Sequence, residues 1–137
     1  MGTVYAEITL KNSGDVINVR RGFMKKQEIR QTTVKALVDT GAATLVINEN
    51  VRQELGLEIE GEKKVTLANA TSEICKIAEP VEVHWKNRKM TCQPWVFSGK
   101  GTVLLGAIPL ENMDLAVDMQ RQELVGAHGD EEIGIVM

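Results

Sequence analysis

Apolar and polar residues alternate along much of this chain, and the alternation predicts a protein built mainly of β-strands. The pattern begins at residues 4–10 and is clearest at Val81–Trp85, where valine and tryptophan alternate with glutamate and histidine. The β-branched segment 29–38 predicts another strand, as does 89–97, where Pro94 indicates an edge or a bulge. Short strands with frequent turns are typical of a compact all-β barrel.

Polar turn residues predict how several of these strands connect. Residues 12–15, with the sequence Asn-Ser-Gly-Asp, are interpreted as a turn that pairs the first strand with a second strand at 16–20. Residues 69–70 are expected to form the two-residue tip of a hairpin that joins segments 64–68 and 72–77. Both connections predict antiparallel pairs.

Two short helices are predicted between the strands. Asn48 can cap the first helix, and Gly56 would end it. Val51 and Leu55 lie four residues apart, on the face that is expected to be buried. Residues 108–113 predict the second helix. The sequence therefore predicts an all-β fold, a small closed β-barrel with one or two short helices.

Composition and charge restrict the class of protein. The chain has 137 residues, enough for one domain, and its net charge of −3 gives no general attraction to nucleic acid. No apolar run approaches the roughly 20 residues that span a bilayer, so we expect no membrane partner. The first residues do not resemble a signal peptide, and the two cysteines are expected to be reduced. These features favour a cytoplasmic protein.

Two other sets of side chains could carry chemistry. The basic residues around Phe23 could attract an acidic partner, although a run of this kind is usually a solvated loop. The side chains that could bind zinc lack the close ligand pairs of zinc fingers, so no metal site is predicted. The basic residues are Arg20, Arg21, Lys25, Lys26 and Arg30, and the possible zinc ligands are Cys75, His84, Cys92 and His128.

The strongest chemical signal is an Asp-Thr-Gly sequence between two apolar runs. Asp39 follows one apolar strand, and Gly41 precedes another at residues 45–47. A carboxylate at such a turn is costly unless it is paired, hydrogen-bonded or used in function. Amide hydrolysis by water needs a base and an acid, and two close carboxylates that share one proton supply both. Alone, the motif is more often an ordinary aspartate-containing turn between strands.

A second segment, together with the motif, makes the chain similar to the retropepsin-like aspartic proteases, which include retroviral proteases and cellular relatives. Leu104-Leu105-Gly106 matches the apolar-apolar-glycine segment that, in this family, passes under the catalytic loop before a C-terminal helix. The resemblance covers about residues 4–118 and implies one retropepsin-like domain over 1–137, with a C-terminal hairpin and tail at 119–137.

The resemblance implies roles for individual residues. Asp39 would be the catalytic carboxylate, and the flap hairpin would bind the substrate. The residues implied are Thr40, Gly41 and Ala42 as support of the catalytic loop, Leu104, Leu105 and Gly106 as the ψ-shaped crossing, and Ala68, Asn69, Ala70 and Thr71 as the flap. The chain departs from the family at the flap tip, which has no glycine, and after the motif, where viral members have acidic residues.

The single motif bears on assembly and on activity. Pepsin-like enzymes carry two such motifs in one chain, so one motif implies a homodimer in which each subunit supplies one Asp39. The implied activity is that of an aspartic endopeptidase that hydrolyses peptide or protein substrates with water and needs no metal or organic cofactor. The alternative is a non-catalytic retropepsin-like dimerisation or peptide-binding domain.

Overall fold

A computed structural model describes residues 3–98, 101–134 and 136 of the chain. Most of the regular structure in these residues is extended, and the helices are short. The strands are β1 (Tyr5–Asn12), β2 (Gln31–Val38), β3 (Val46–Asn48), β4 (Ile59–Thr66), β5 (Ser72–Ala78), β6 (Val81–Trp85), β7 (Arg88–Cys92), β8 (Trp95–Phe97), β9 (Leu104–Leu105), β10 (Leu115–Asp118) and β11 (Glu123–Gly126). The α-helices are α1 (Ser13–Arg20), α2 (Glu49–Leu55) and α3 (Ala107–Asn112), and Lys26–Glu28 form a single turn of 3-10 helix.

Nine of these strands form one sheet in the order β4-β5-β8-β3-β9-β2-β1-β6-β7, while β10 and β11 pair as a separate hairpin. The sheet curls into a half-barrel around a core to which β1 contributes one face, through the buried residues Ala6, Ile8 and Leu10. The opposite face of β1 is largely exposed, as its alternating sequence predicts. The all-β prediction is confirmed. The predicted domain 1–137 includes residues 1, 2, 99, 100, 135 and 137, which lie outside the described residues.

The segment after β1 is helix α1, so the predicted turn at 12–15 and strand at 16–20 are wrong. The Asn12 side-chain oxygen accepts the backbone N–H of Asp15 at 3.0 Å and caps the helix. The buried carboxylate of Asp15 then accepts the Nε and Nη2 groups of Arg30, each at 2.9 Å. Because this ion pair joins distant segments, it fixes a helix that the local β-branched sequence does not favour.

The hairpin of β4 and β5 is confirmed, but its tip differs from the two-residue turn predicted at 69–70. Residues 67–71 form the connection, and the Leu67 N–H donates to the Thr71 carbonyl at 2.8 Å. The residue with positive φ is Ala70, at 67°, rather than Asn69. The Asn69 side chain instead accepts the Thr71 N–H at 3.1 Å, which holds the turn without a glycine.

Helix α2 has the ends that the sequence predicts. The Asn48 side-chain oxygen accepts the Val51 N–H at 2.9 Å, and Gly56 ends the helix with a φ of 65°. The segment predicted as one strand at 89–97 is divided at Pro94 into β7 and β8, because proline has no N–H to donate to a neighbouring strand. In the part of the chain that the structure describes, the helices are too short and too polar to cross a membrane.

Candidate active site

Asp39 follows directly after β2 and is held in a tight turn by backbone hydrogen bonds. Its N–H donates to the Leu105 carbonyl at 3.0 Å, and its carbonyl accepts the Ala42 N–H at 3.1 Å. The Gly41 N–H donates to the Asp39 Oδ1 atom at 2.9 Å, which orients the carboxylate. Among the described residues no hydrogen bond or ion pair engages Oδ2. The turn therefore presents one oxygen of a fixed, half-buried carboxylate to its surroundings.

Gly41 leaves little room for any larger residue beside this carboxylate. A Cβ atom added to Gly41 would lie 3.2 Å from the Asp39 Oδ1 atom, closer than ordinary van der Waals contact. A side chain there would press on the oxygen that the Gly41 N–H binds. The absence of a side chain thus preserves both the approach to the carboxylate and its orientation.

Strand β9 lies between the two strands that flank the Asp39 turn. It pairs in parallel with β2, where Leu37 is opposite Leu104, and antiparallel with β3, where Val46 is opposite the same Leu104. Leu105 is fully buried beneath the turn. The structure thus brings the Asp-Thr-Gly and Leu-Leu-Gly segments together, although strands β3 to β8 lie between them in sequence.

Gly106 makes the contact between the two segments possible. A Cβ atom on Gly106 would lie 2.5 Å from the Ala42 carbonyl oxygen and closer still to that of Thr44. Immediately afterwards, the Ala107 N–H donates to the Ala42 carbonyl at 2.8 Å, and the Ile108 N–H donates to the Ala43 carbonyl at 3.0 Å. The start of α3 therefore binds the far side of the Asp39 turn through backbone groups that any larger residue at 106 would push apart.

A groove of about 450 Å³ separates the Asp39 turn from the β4–β5 hairpin. Its walls are mainly apolar, and Asp39 is the one carboxylate among the described residues that line it. The lining residues are Asp39, Gly41, Ala42, Ala43, Val46, Lys63, Lys64, Val65, Thr66, Leu67, Ala68, Trp95, Phe97 and Leu104. An open groove of this size and polarity fits an extended peptide segment with apolar side chains.

The structure distributes the predicted flap and support residues over different places. Ala68 lines the groove, whereas Asn69, Ala70 and Thr71 form the exposed hairpin tip and do not line it. Thr40 is exposed and borders a second cavity of about 300 Å³, formed with α3 and β10. Thr40 is therefore placed beside the β10 strand rather than in the groove.

Several groove residues were not predicted as site residues, and Lys63 and Trp95 are the two among them that contact each other through a cation and an aromatic ring. The Lys63 Nζ atom lies over the Trp95 ring, 5.3 Å from its centroid. Their approach depends on the register of β4 and β5 and on the pairing of β5 with β8, where Ile77 is opposite Trp95. The one feature of the sequence that could have indicated Lys63 is the alternation in β4, which places Lys63 and Val65 on one face.

The other candidate groups offer no competing centre in the described part of the chain. The possible zinc ligands do not assemble, because no three His, Cys, Asp or Glu side chains there are grouped as a metal site. Burial raises the pKa of the Cys75 thiol and raises that of Cys92 to about 11. Both thiols are therefore protonated at neutral pH, which makes them poor nucleophiles.

A half-barrel in which an Asp-Thr-Gly turn rests on an apolar-apolar-glycine strand is the arrangement of a retropepsin-like aspartic protease. The sequence profile of the gag-polyprotein putative aspartyl protease family matches residues 26–112, and the chain belongs to this family. No curated protein sequence matches the chain at a significant level.

Solved structures have a similar fold. The retroviral protease-like domain of Ddi1 from Leishmania major superposes with a TM-score of 0.56, at 15% identity over 91% of this chain and 88% of that one. A retropepsin-like aspartic protease from Rickettsia conorii gives a TM-score of 0.45, at 18% identity over 86% of this chain and 89% of that one. The first similarity establishes the shared fold.

Proposed function

We propose that this protein is an aspartic endopeptidase that acts as a homodimer, with Asp39 from each of two subunits in one active site. The observation that carries the proposal is the geometry of Asp39. Its carboxylate is oriented by the Gly41 N–H at 2.9 Å and opens onto an apolar groove under a β-hairpin. A carboxylate fixed by its own turn at the wall of a peptide-sized groove is better explained by catalysis than by folding.

The need for a second carboxylate supports the dimer. One aspartate cannot take a proton from water and give a proton to the substrate in the same step. Asp39 is the one acid among the described residues that line the groove, so the partner acid is proposed to come from a second copy of the chain. Two carboxylates in close contact hold one proton between them, because their repulsion opposes double ionisation.

The reaction follows from this pair and one bound water. The ionised Asp39 takes a proton from the water as its oxygen attacks the scissile carbonyl carbon, while the protonated Asp39 of the other subunit donates to the carbonyl oxygen. The tetrahedral intermediate then collapses: one of its hydroxyl groups returns a proton to the Asp39 that donated it, the C–N bond breaks, and the amine leaves with the proton first taken from water. No covalent intermediate with the protein forms in this scheme.

The β4–β5 hairpin is proposed to act as the flap over the substrate. Ala68 lines the groove, and the exposed residues Asn69, Ala70 and Thr71 lie next to it at the tip. An extended peptide has unpaired backbone groups that a hairpin can bind from above while its side chains enter the groove. Closure of the tip over a peptide would also exclude water from the reacting bond.

We further propose that residues 1–137 act as one domain, with 119–137 as an integral C-terminal part. The buried side chain of Arg88 supports this, since its Nη1 atom donates to the Met113 carbonyl at 2.6 Å and its Nη2 atom donates to the Gly129 carbonyl at 2.8 Å. Limited proteolysis of the folded chain is expected to leave the segment around Gly129 uncut. Early cleavage there would contradict the single domain.

The proposal is tested with purified protein and a synthetic peptide library, analysed by mass spectrometry for new peptide ends. We expect cleavage that resists a metal chelator and stops in Asp39→Asn. A folded wild-type protein that binds library peptides but releases no new ends would instead support the alternative, a non-catalytic dimerisation or peptide-binding domain. The two functions are thus separated by one measurement on the same sample.

A further inference from the structure

Lys63 is a cation on the inner face of the candidate flap. It lies opposite Cys75 in the β4–β5 register, and paired residues of an antiparallel hairpin share a face. Cys75 is 1% exposed, and Val65, two residues further along the same face, is also buried. Lys64 lies on the other face, opposite the exposed Ile74. Lys64 also borders the groove, but the register places Lys63 on the face of the hairpin where Trp95 lies.

Trp95 holds the Lys63 ammonium at the groove. The Nζ atom lies over the indole ring at 5.3 Å from the centroid, and both residues line the groove that contains Asp39. Within the described residues no salt bridge joins Lys63 to a carboxylate. Glu73, the acid next in register on this face, lines a separate cavity with Ile74 and Lys76. The charge of Lys63 is thus balanced by an aromatic face and by solvent.

A peptide that fills the groove would remove some of that solvent. The lining beside Lys63 is apolar, with Val46, Val65 and Leu104 nearby in the same groove. An ammonium that loses water in apolar surroundings is destabilised unless an anion replaces the water. A carboxylate on the bound peptide would compensate, and the Trp95 face would support the methylene groups of a glutamate side chain.

We propose that the groove selects peptides that carry an acidic residue, glutamate or aspartate, at the position beside Lys63, among apolar neighbours. This inference deepens the proposed function, because it names the substrate class for the same groove. Trp95 and Lys63 together form the subsite: the ring fixes the ammonium, and the ammonium binds the side-chain carboxylate of the substrate. A glutamine at the same position would leave the cation without its counterion.

Binding to a non-cleaving protein tests this inference independently of catalysis. Full-length Asp39→Asn is incubated with an equimolar pair of decapeptide libraries, apolar throughout except for one fixed glutamate or glutamine, with the fixed position moved along the peptide. Bound peptides are quantified by mass spectrometry. We expect a preference of about tenfold or more for glutamate at one position, the scale of one charge-assisted hydrogen bond. The preference should weaken at high salt.

Matched variants in the same background assign the preference to Lys63. Lys63→Met should abolish it, and Lys63→Arg should retain it because the cation is kept. Lys89→Met makes the same chemical change at an exposed position of the edge strand β7 and should leave the preference intact. Sedimentation and circular dichroism check that each variant remains folded and assembled, and Lys63 is exposed enough to be replaced without disturbing the core.

Two outcomes would overturn the inference. They are equal binding of the glutamate and glutamine libraries at every position, and a preference that survives Lys63→Met unchanged. Failure of the proposed function is a different result: Asp39→Asn prefers glutamate through Lys63, but the wild type cleaves no peptide of that preferred library. That result would support the acidic subsite and assign it to a peptide-binding groove instead of a peptidase.

Discussion

The Leu105 carbonyl accepts the Asp39 N–H at 3.0 Å and ties the candidate catalytic residue to β9, a neighbouring strand that is distant in sequence. The bond runs between backbone atoms, so it does not depend on which side chain follows β2. Its geometry depends instead on how closely β9 approaches the turn, which Gly106 permits. The position of the carboxylate is therefore determined by packing between two segments that are distant in sequence.

Asp39→Asn is expected to abolish peptidase activity while the fold remains. The asparagine can still accept the Gly41 N–H, but it cannot take a proton from water. Loss of a general base lowers kcat by roughly 10²–10⁴-fold or more. The measurement is the cleavage rate of the best library peptide, with circular dichroism as the check on folding.

Asp130→Asn is the matched control, because it makes the same change at an exposed position outside the groove. Its cleavage rate should equal that of the wild type. Equal rates for Asp39→Asn and the wild type would contradict the catalytic assignment.

Gly106→Ala is expected to destabilise the whole domain. The added methyl group would meet the carbonyl oxygens of Thr44 and Ala42, the latter at 2.5 Å. Both are backbone atoms that cannot rotate away. Overpacking of this kind costs about 1–3 kcal/mol or more. The measurement is the free energy of unfolding from urea denaturation.

Gly61→Ala is the control for that prediction. A Cβ atom at Gly61 meets nothing within 4 Å, and its φ is not positive. Its free energy of unfolding should change by less than about 0.5 kcal/mol. If both alanine variants were equally stable, the close contact of the two segments would be wrong.

Local signals in the sequence predicted much of the fold. The cap at Asn48 and the left-handed end at Gly56 involve neighbours in sequence, so residue types alone indicate helix α2. The Asp-Thr-Gly and Leu-Leu-Gly segments resemble those of the retropepsin-like family, which predicts that they meet, and the structure brings them into contact. Both kinds of signal depend little on the register of the strands.

Structural features that depend on residues distant in sequence could not be predicted from local patterns. Helix α1 depends on the ion pair of Asp15 with Arg30, and residues 12–20 alone show only turn residues followed by β-branched ones. Lys63 reaches the groove only through the register of β4 with β5 and the position of Trp95. Neither partner is a sequence neighbour, so periodicity cannot indicate the contact.

The Asp15–Arg30 pair is expected to make stability depend on pH on the acid side. The hydrogen bond from Arg30 lowers the pKa of the Asp15 carboxyl below its usual value of 3.8. A carboxyl with a lowered pKa in the folded state contributes stability above its unfolded pKa, and that contribution is lost as pH falls through the folded value. Thermal unfolding midpoints should therefore fall on acidification below about pH 4.

Asp15→Asn separates this pair from the other carboxyl groups. The variant should be less stable by about 1–3 kcal/mol at pH 7, because it leaves Arg30 without a charged partner. Its midpoint should also change less between pH 5 and pH 3 than that of the wild type. Parallel curves for the two proteins across that range would show that Asp15 does not carry the effect.

The last prediction concerns the proposed dimer. One subunit supplies one carboxylate, so a monomer should be inactive, and specific activity should fall on dilution below the dimer dissociation constant. Sedimentation at high concentration should show a species of twice the 15.1 kDa chain mass.

With a ninefold excess of Asp39→Asn and free subunit exchange, only about a tenth of the wild-type chains would remain in wild-type dimers. Activity should fall to that fraction, whereas a ninefold excess of Asp130→Asn should cause no loss. Full activity from a demonstrated monomer would contradict the shared site and direct attention to a second acid of the same chain, with Asp114 and Asp118 as the first substitutions.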